Sequence, residues 1–193
     1  MPSTRLFSHR FVPARPTAGR TPLTIVLHGL GDSLSGWSFL PQALRIPEMS
    51  YLLVNAPDPY YGGYSWYDFM GDKEPGVLRS RRLLLELLDE LESQGAPPGD
   101  TFLLGFSQGC LMAVDAALHA PSPLAGVVRI SGYVAFPGRY PAEFSAAATS
   151  QHILATHGTR DPVVPFAPAK AQFETLRALG VPLEFIAYDK EHT

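Results

Sequence analysis

Six short apolar runs recur along the chain, and they constrain its fold more than any other feature. They cover residues 23–28, 51–56, 101–106, 125–131, 152–157 and 183–188. Each run has the length of a strand, is almost continuously apolar and ends near small or polar residues. This pattern is typical of the central strands of a parallel sheet that is covered on both faces.

Segments with helical spacing of apolar residues lie between these runs, at about residues 35–45, 77–94, 108–119 and 166–179. The clearest stripe consists of Leu84, Leu87, Leu88 and Leu91. We interpret it as the core-facing side of a helix. Strands that alternate with helices predict an α/β fold, with a mostly parallel central sheet and helices on both faces.

Two stretches, residues 57–74 and 136–150, do not follow this alternation. Residues 60–67 within the first read Tyr-Tyr-Gly-Gly-Tyr-Ser-Trp-Tyr. Loops longer than about 12 residues are usually functional or disordered. Because the aromatic content argues against disorder, we expect the first stretch to line a pocket. Neither stretch is long enough for a lid domain, so we expect residues 1–193 to form one domain without a large lid.

Composition narrows the classes of protein. A chain of 193 residues with 46% hydrophobic residues can bury one core without disulfides or a metal. The formal charge of -3 provides no broad basic field for nucleic acid or anionic lipid. We interpret the one basic cluster, Arg79, Arg81 and Arg82, as the solvated start of a helix rather than an anion site. The single cysteine, Cys110, excludes an internal disulfide and a cysteine-based zinc site.

No apolar signal segment follows Met1, and no stretch approaches the roughly 18 apolar residues of a membrane span. We therefore expect a cytoplasmic location and no membrane span. A homodimer is one oligomeric form that the sequence allows.

Residues 105–109, Gly-Phe-Ser-Gln-Gly, follow an apolar strand and precede a helix. A nucleophile elbow of an α/β-hydrolase requires this context, because a sharp turn between strand and helix projects the serine hydroxyl outward. The helix N-terminus also places backbone N–H groups beside it. The pattern predicts Ser107 as a nucleophile.

A serine hydroxyl needs a general base and an acid that orients the base. Asp161 lies in a loop after the fifth apolar run, and His192 follows the last one. This order of serine, aspartate and histidine is the one that an α/β-hydrolase uses. We predict Asp161 as the orienting acid and His192 as the base, and Asp189 remains an alternative acid.

The other five histidines have better non-catalytic interpretations. We expect His9 and His119 to be surface or capping residues, and His152 begins a strand. We expect His28 to stabilise its loop and His157 to support the loop that carries Asp161.

Donors for a developing oxyanion are predicted at two backbone amides. The N–H group of Gln108 directly follows the nucleophile, where such a donor is expected. The loop after the first apolar run, residues 28–32, reads His-Gly-Leu-Gly-Asp, and its glycines allow close backbone approach. Leu30 is the second candidate donor, and we expect Asp32 to hold this turn or cap a helix.

Six segments in this order resemble the phospholipase/carboxylesterase family of α/β-hydrolases, which includes acyl-protein thioesterases. They are residues 27–32, 55–57, 65–68, 105–109, 157–165 and 191–192. The resemblance implies a compact α/β-hydrolase that uses no cofactor or metal and acts on carboxylesters, lysophospholipids or acyl thioesters. It also implies a triad of Ser107, Asp161 and His192, with Leu30 and Gln108 as oxyanion donors.

The expected substrate is a small-molecule carboxylic ester with a small or medium acyl group. The alternative is an acyl-protein thioesterase or lysophospholipase, which would hold a long acyl chain in a groove beside Trp66 and Val163. An alternative of another class is a non-catalytic binding protein with this fold.

Two departures from the family pattern are visible. Many members have glycine at the position of Cys110, which we interpret as a small buried residue. The family continues past its histidine into a helix that packs on the sheet, whereas this sequence stops at Thr193. We therefore expect further residues after Thr193 in the complete protein.

Overall fold

The computed structural model describes residues 1–15 and 19–193. The strands are β1 (His9–Val12), β2 (Leu23–Leu27), β3 (Ser50–Val54), β4 (Asp58–Tyr60), β5 (Gly63–Ser65), β6 (Thr101–Phe106), β7 (Gly126–Ile130), β8 (Ile153–Gly158) and β9 (Leu183–Tyr188). The helices are α1 (Leu40–Leu44), α2 (Lys73–Ser93), α3 (Gln108–His119) and α4 (Phe166–Ala178). None of the helices in the described residues is long and apolar enough to cross a membrane.

Seven strands form one sheet in the order β1-β3-β2-β6-β7-β8-β9. All neighbouring pairs are parallel except β1 with β3, which is antiparallel. The predicted α/β fold with a mostly parallel sheet is therefore confirmed. All six predicted strands are present, and their ends lie within two residues of the predicted bounds.

Four elements differ from the sequence-based expectation, and one of them is helix α1, which covers only Leu40–Leu44 of the predicted segment 35–45. β1 was not predicted, because its sequence His-Arg-Phe-Val is not an apolar run. The aromatic loop contains a small hairpin of β4 and β5. Helix α2 begins at Lys73 rather than near residue 77, after the Asp72 carboxylate caps it by accepting from the Glu74 N–H at 3.0 Å.

Helices cover both faces of the sheet, as predicted. On one face α2 and α3 bury the predicted leucine stripe, and residues 108–118 of α3 are buried throughout. On the other face Trp37 and Leu40 pack against Val26, Tyr51 and Leu53. The long central strands are therefore anchored from both sides, which fixes the positions of the loops at their ends.

The interpretation of the arginine cluster as a solvated helix start is wrong for Arg81. Its Nε and Nη2 donate to the two carboxylate oxygens of Asp115 at 2.7 and 2.8 Å, and the Asp115 side chain is fully buried. Arg79 pairs with Asp58 at the hairpin. Because α2 begins at Lys73, these arginines lie inside the helix, where they can face neighbouring elements.

Replacing Arg81 by Met is expected to lower the free energy of unfolding by about 3 kcal/mol, because a buried carboxylate loses its partner. Arg82→Met is the matched control, since Arg82 pairs with Glu86 at the surface, and a change below about 1 kcal/mol is expected. Urea denaturation measures both values. Equal changes in the two variants would contradict the assignment of a structural role to the Arg81–Asp115 pair.

Candidate active site

The carboxyl ends of the parallel strands bring the predicted site residues to one edge of the sheet. Ser107 directly follows β6, Asp161 lies in the loop after β8, and His192 lies beyond β9. Because β6, β7, β8 and β9 run parallel, these loops leave the sheet on the same side.

Ser107 occupies a sharp turn between β6 and α3. Its backbone has φ 52° and ψ -113°, in a region that residues with a side chain rarely adopt. Its N–H donates to the Ile130 carbonyl at 2.9 Å. A Cβ atom on Gly105 would clash with the Gly109 carbonyl, and one on Gly109 would clash with the backbone of β2. Both glycines of the elbow are therefore required by packing.

The side chains of Ser107, His192 and Asp161 form a hydrogen-bonded row. His192 Nε2 lies 2.9 Å from Ser107 Oγ, and His192 Nδ1 lies 2.8 Å from Asp161 Oδ2. The carboxylate can only accept, so Nδ1 carries the hydrogen and Nε2 presents a lone pair to the serine hydroxyl. The imidazole ring also packs on Phe106, with ring centroids 5.1 Å apart.

The Asp161 carboxylate accepts hydrogen bonds from three donors, which together engage both oxygens. Oδ1 accepts from the backbone N–H groups of Val163 and Val164 at 2.9 and 2.8 Å, while Oδ2 accepts from His192. Burial raises the pKa of Asp161, but the hydrogen bonds from His192 and the two amides outweigh it, and the net pKa is lowered. The pKa of Asp161 therefore lies below the usual aspartate range, and the carboxylate is ionised at neutral pH.

The alternative acid, Asp189, does not face His192. Its Oδ1 accepts from Arg160 Nε at 2.6 Å, and its side chain is 82% exposed. The geometry therefore favours Asp161, whose side chain is fully buried beside the imidazole.

Two further expectations concern the loop after β2. His28 Nε2 accepts from the Ala56 N–H at 3.0 Å, and Nδ1 donates to the Gly29 carbonyl at 2.7 Å. Burial lowers the pKa of His28 and keeps it neutral. Asp32 accepts from the Ser33 N–H and from the Trp37 indole. Both side chains stabilise the loop, as the sequence predicted.

Leu30 and Gln108 line the same cavity as Ser107 and His192. The Gln108 N–H is in the first turn of α3, where helical geometry supplies no acceptor. The next two amides after Leu30 are engaged, because Gly31 N–H donates to Tyr64 O at 2.9 Å and Asp32 N–H donates to Gly29 O at 3.3 Å. The N–H groups of Leu30 and Gln108 therefore stay the predicted oxyanion donors.

The cavity beside the serine has a volume of about 510 Å³. Its apolar wall is formed by Leu30, Tyr67, Phe69, Phe106, Tyr133, Val163, Val164, Pro165, Pro168 and Ala169. Val163, predicted to contact an acyl group, is part of this wall. A volume in this range is typical of small-molecule sites.

The expectation that Trp66 lines the acyl groove is wrong. Its side chain is fully buried, its indole N–H donates to the His28 carbonyl at 2.9 Å, and its ring packs on Phe7 and His28. The neighbouring Tyr67 lines the cavity instead, and its hydroxyl lies 2.8 Å from that of Tyr133.

A second role of Gln108 was not predicted. Its side-chain Oε1 accepts from the Trp66 N–H at 2.8 Å, and its Nε2 donates to the Tyr67 carbonyl at 2.8 Å. The amide side chain thereby ties the aromatic loop to the elbow. Glutamine's paired donor and acceptor suit it to bridging two backbone groups, but its position after the serine alone did not indicate the partners.

Cys110 does not compete with Ser107 as a nucleophile. It is fully buried in the first turn of α3, and burial raises the pKa of its thiol to about 11, against a smaller lowering by Arg129. A thiol that stays protonated at neutral pH is unreactive. Its interpretation as a small buried residue is in accord with this position.

A parallel sheet with a serine elbow, a histidine and an aspartate at its carboxyl edge defines the α/β-hydrolases. Residues 10–193 match the sequence model of the family described as phospholipase/carboxylesterase. The chain belongs to this family, in agreement with the resemblance carried by its sequence segments.

Individual relatives agree with this assignment. Acyl-protein thioesterase 1 of Schizosaccharomyces pombe is 35% identical over 163 residues, which cover 78% of this chain and 73% of that protein. The crystal structure of esterase PE8 is similar with a TM-score of 0.86 at 30% identity, covering 97% of this chain and 91% of that one. A protein of Oryza sativa subsp. japonica, named as a probable inactive carboxylesterase, is 27% identical over 197 residues, 92% of this chain and 80% of that protein.

Gly158 at the end of β8 gives a test of how closely the histidine segment must approach the sheet. A Cβ atom there would clash with the carbonyl oxygens of Lys190 and Glu191, so Gly158→Ala is expected to displace His192. Labelling of Ser107 by a fluorophosphonate should slow by roughly 10- to 100-fold, the size expected for a misplacement of about 1 Å. Gly99→Ala is the matched control, because a Cβ atom there meets nothing within 4 Å. Equal labelling rates in the two variants would contradict this packing argument.

Proposed function

We propose that the protein hydrolyses carboxylic esters through an acyl-enzyme on Ser107. The observation that carries the proposal is the position of His192, whose two ring nitrogens lie within hydrogen-bond distance of Ser107 Oγ and Asp161 Oδ2. Membership of the phospholipase/carboxylesterase family supports the same reaction class. Ser107 acts as nucleophile, His192 as general base and acid, and Asp161 as the orienting carboxylate.

In the first half-reaction Ser107 Oγ attacks the ester carbonyl carbon while its proton passes to His192 Nε2. The carbonyl oxygen becomes an oxyanion, for which the N–H groups of Leu30 and Gln108 are the proposed donors. Each such donor contributes about 3 kcal/mol in other serine hydrolases. The imidazolium is stabilised by the ionised Asp161 and returns its proton to the departing alcohol, which leaves an acyl group on Ser107.

In the second half-reaction a water molecule takes the place of the alcohol. His192 removes a proton from the water as the water attacks the acyl carbon, and the second tetrahedral intermediate uses the same two donors. When it collapses, the proton returns to Ser107 Oγ and the carboxylic acid is released. The same histidine therefore serves both halves, as in other serine hydrolases.

The apolar cavity wall suits an acyl chain rather than a charged group. Tyr67 and Tyr133 are the tyrosines of this wall, and their hydroxyls are bonded to each other. Burial of apolar surface contributes roughly 25 cal/mol per Å² removed from water. An acyl group with several methylenes therefore binds better than an acetyl group. We propose small and medium acyl esters as substrates.

An acyl-protein thioesterase activity is the second candidate. The observation that favours it is the relative from Schizosaccharomyces pombe, which carries that name at 35% identity. A thioester places a thiolate rather than an alkoxide in the leaving position, and the proposed residues act on both. The comparison with a rice protein named as inactive makes a non-catalytic role the alternative of another class.

A cytoplasmic location stays a prediction, supported by Cys110 being the only cysteine and therefore unable to form an internal disulfide. A homodimer likewise stays a prediction. With a formal charge of -3, we propose no nucleic-acid partner.

Ser107→Ala is expected to lower kcat for a short-chain p-nitrophenyl ester by about 10⁴-fold or more, since removing the nucleophile removes the acyl-enzyme route. Ser93→Ala on α2 is the control, because Ser93 lies at the exposed end of that helix. Unchanged activity of Ser107→Ala would overturn the proposed mechanism. No labelling of the unmodified protein by a fluorophosphonate would favour the non-catalytic alternative.

Acyl-chain preference gives a second test. With p-nitrophenyl esters and acyl thioesters of matched chain length, kcat/KM should rise from acetyl to a medium chain and then level or fall. Val163→Asp should reduce this rise, because Val163 is part of the apolar wall. A continued rise into long chains, with thioesters preferred at each length, would instead favour the acyl-protein thioesterase.

A further inference from the structure

A buried arginine lies behind the site, on the strand next to the serine. Arg129 on β7 has no exposed surface, and its guanidinium carbon lies 3.6 Å from the centre of the Phe173 ring. Its Nη1 and Nη2 donate to the Gly132 carbonyl at 2.9 and 3.3 Å. Its Nε has no hydrogen-bond partner, and no carboxylate in the described residues lies within ion-pair distance of it.

Such a group is costly to bury. A guanidinium stays charged in a protein, and a buried charge without a counter-ion is strongly unfavourable. Its contact with Phe173 and a more distant one with Phe185 offset part of this cost. An apolar side chain would fill the same space at lower cost, so the charge needs a reason beyond packing.

Arg129 also contacts His157, which lies beside the loop that carries Asp161. Both Nη atoms lie 3.3 to 3.4 Å from His157 Nδ1. The guanidinium can only donate, so Nδ1 is an acceptor and the ring hydrogen resides on Nε2. His157 Nε2 then donates to the Val164 carbonyl at 2.9 Å, with Asp161 Oδ2 only 3.4 Å away.

We propose that Arg129 and His157 are positioning residues, which hold the Asp161 loop in place through a chain of hydrogen bonds. The inference rests on the proposed function, because it assigns these residues a role in orienting His192 through Asp161. Val164 is bonded at both ends, with its N–H donating to Asp161 and its carbonyl accepting from His157. The loop is thereby tied to the β8 strand end.

Electrostatics agrees with this geometry. Burial lowers the pKa of His157, and the positive charge of Arg129 lowers it further, against the raising effects of the Val164 bond and Asp161. His157 is therefore neutral at neutral pH and does not compete with His192 for the carboxylate as a second imidazolium. The charged and titratable groups that face this region are Arg129, His157, Asp161, Lys190, His192 and the protonated Cys110.

A pair of substitutions at His157 separates hydrogen bonding from volume. His157→Gln retains an acceptor for Arg129 and a donor for Val164, whereas His157→Leu fills the space without either. We expect kcat for a p-nitrophenyl ester to fall by roughly 10- to 100-fold in the leucine variant, with KM little changed, and to recover largely in the glutamine variant. His152→Leu, at an exposed position, controls for loss of a histidine.

The pH profile is the second measurement. In Arg129→Met, loss of the positive charge should raise the pKa of His157, because Arg129 lowers it. A His157 imidazolium that competes with His192 for Asp161 then forms at higher pH, so the acidic limb of kcat/KM should move up by roughly half a pH unit. Rates are normalised to the fraction of protein that a fluorophosphonate titrates, so partial unfolding does not imitate the effect. Where Arg129→Met does not fold, the His157 pair decides.

The outcomes distinguish this inference from the proposed function. Activity that survives in Ser107→Ala overturns the proposed function itself. If Ser107→Ala is inactive but His157→Leu and His157→Gln have equal kcat, or Arg129→Met folds with an unmoved acidic limb, the positioning role is overturned alone. Recovery in His157→Gln together with the shifted limb supports it.

Discussion

The close approach of two backbones where β2 and β6 end is the constraint on which the site depends. The parallel pairing places Leu27 beside Gly105, and Gly109 in the first turn of α3 lies against the Leu27 carbonyl. A side chain on either glycine would push α3 away from the sheet and take Ser107 with it. The position of the serine relative to the loop after β2, which carries the proposed second oxyanion donor, therefore depends on the absence of a side chain at Gly105 and Gly109.

The same sheet explains why so much of the site could be predicted. Each apolar run was recognisable locally, and each site residue directly follows one of them or lies a few positions beyond. Parallel strands bring such residues to one edge whatever their distance along the chain, so Ser107, Asp161 and His192 could be placed together without any tertiary information. The alternative acid, Asp189, could be excluded only from the structure, which shows that its carboxylate pairs with the exposed Arg160.

The wrong predictions concern residues whose burial depends on contacts with distant parts of the chain. Aromatic composition alone does not distinguish a cavity wall from a core side chain. Trp66 is directed into the core and Tyr67 borders the cavity, so one position separates the wrong assignment from the correct one. The sequence around Arg81 likewise predicts a surface residue, because nothing in it indicates the ion pair with Asp115 on another helix. Arg129 gives no local signal of its burial.

Gln108 couples parts of the molecule that are usually treated separately. Its backbone amide is a proposed oxyanion donor, while its side chain is bonded to the backbone of Trp66 and Tyr67. A shift of the aromatic loop is therefore expected to move Gln108, and with it the turn that carries Ser107. Replacing the hairpin loop to change the substrate range would therefore lower turnover as well. Turnover is retained only if the new loop keeps a backbone N–H and a carbonyl where Trp66 and Tyr67 bind the Gln108 side chain. Selectivity and rate in this enzyme are therefore not independent variables for an engineer.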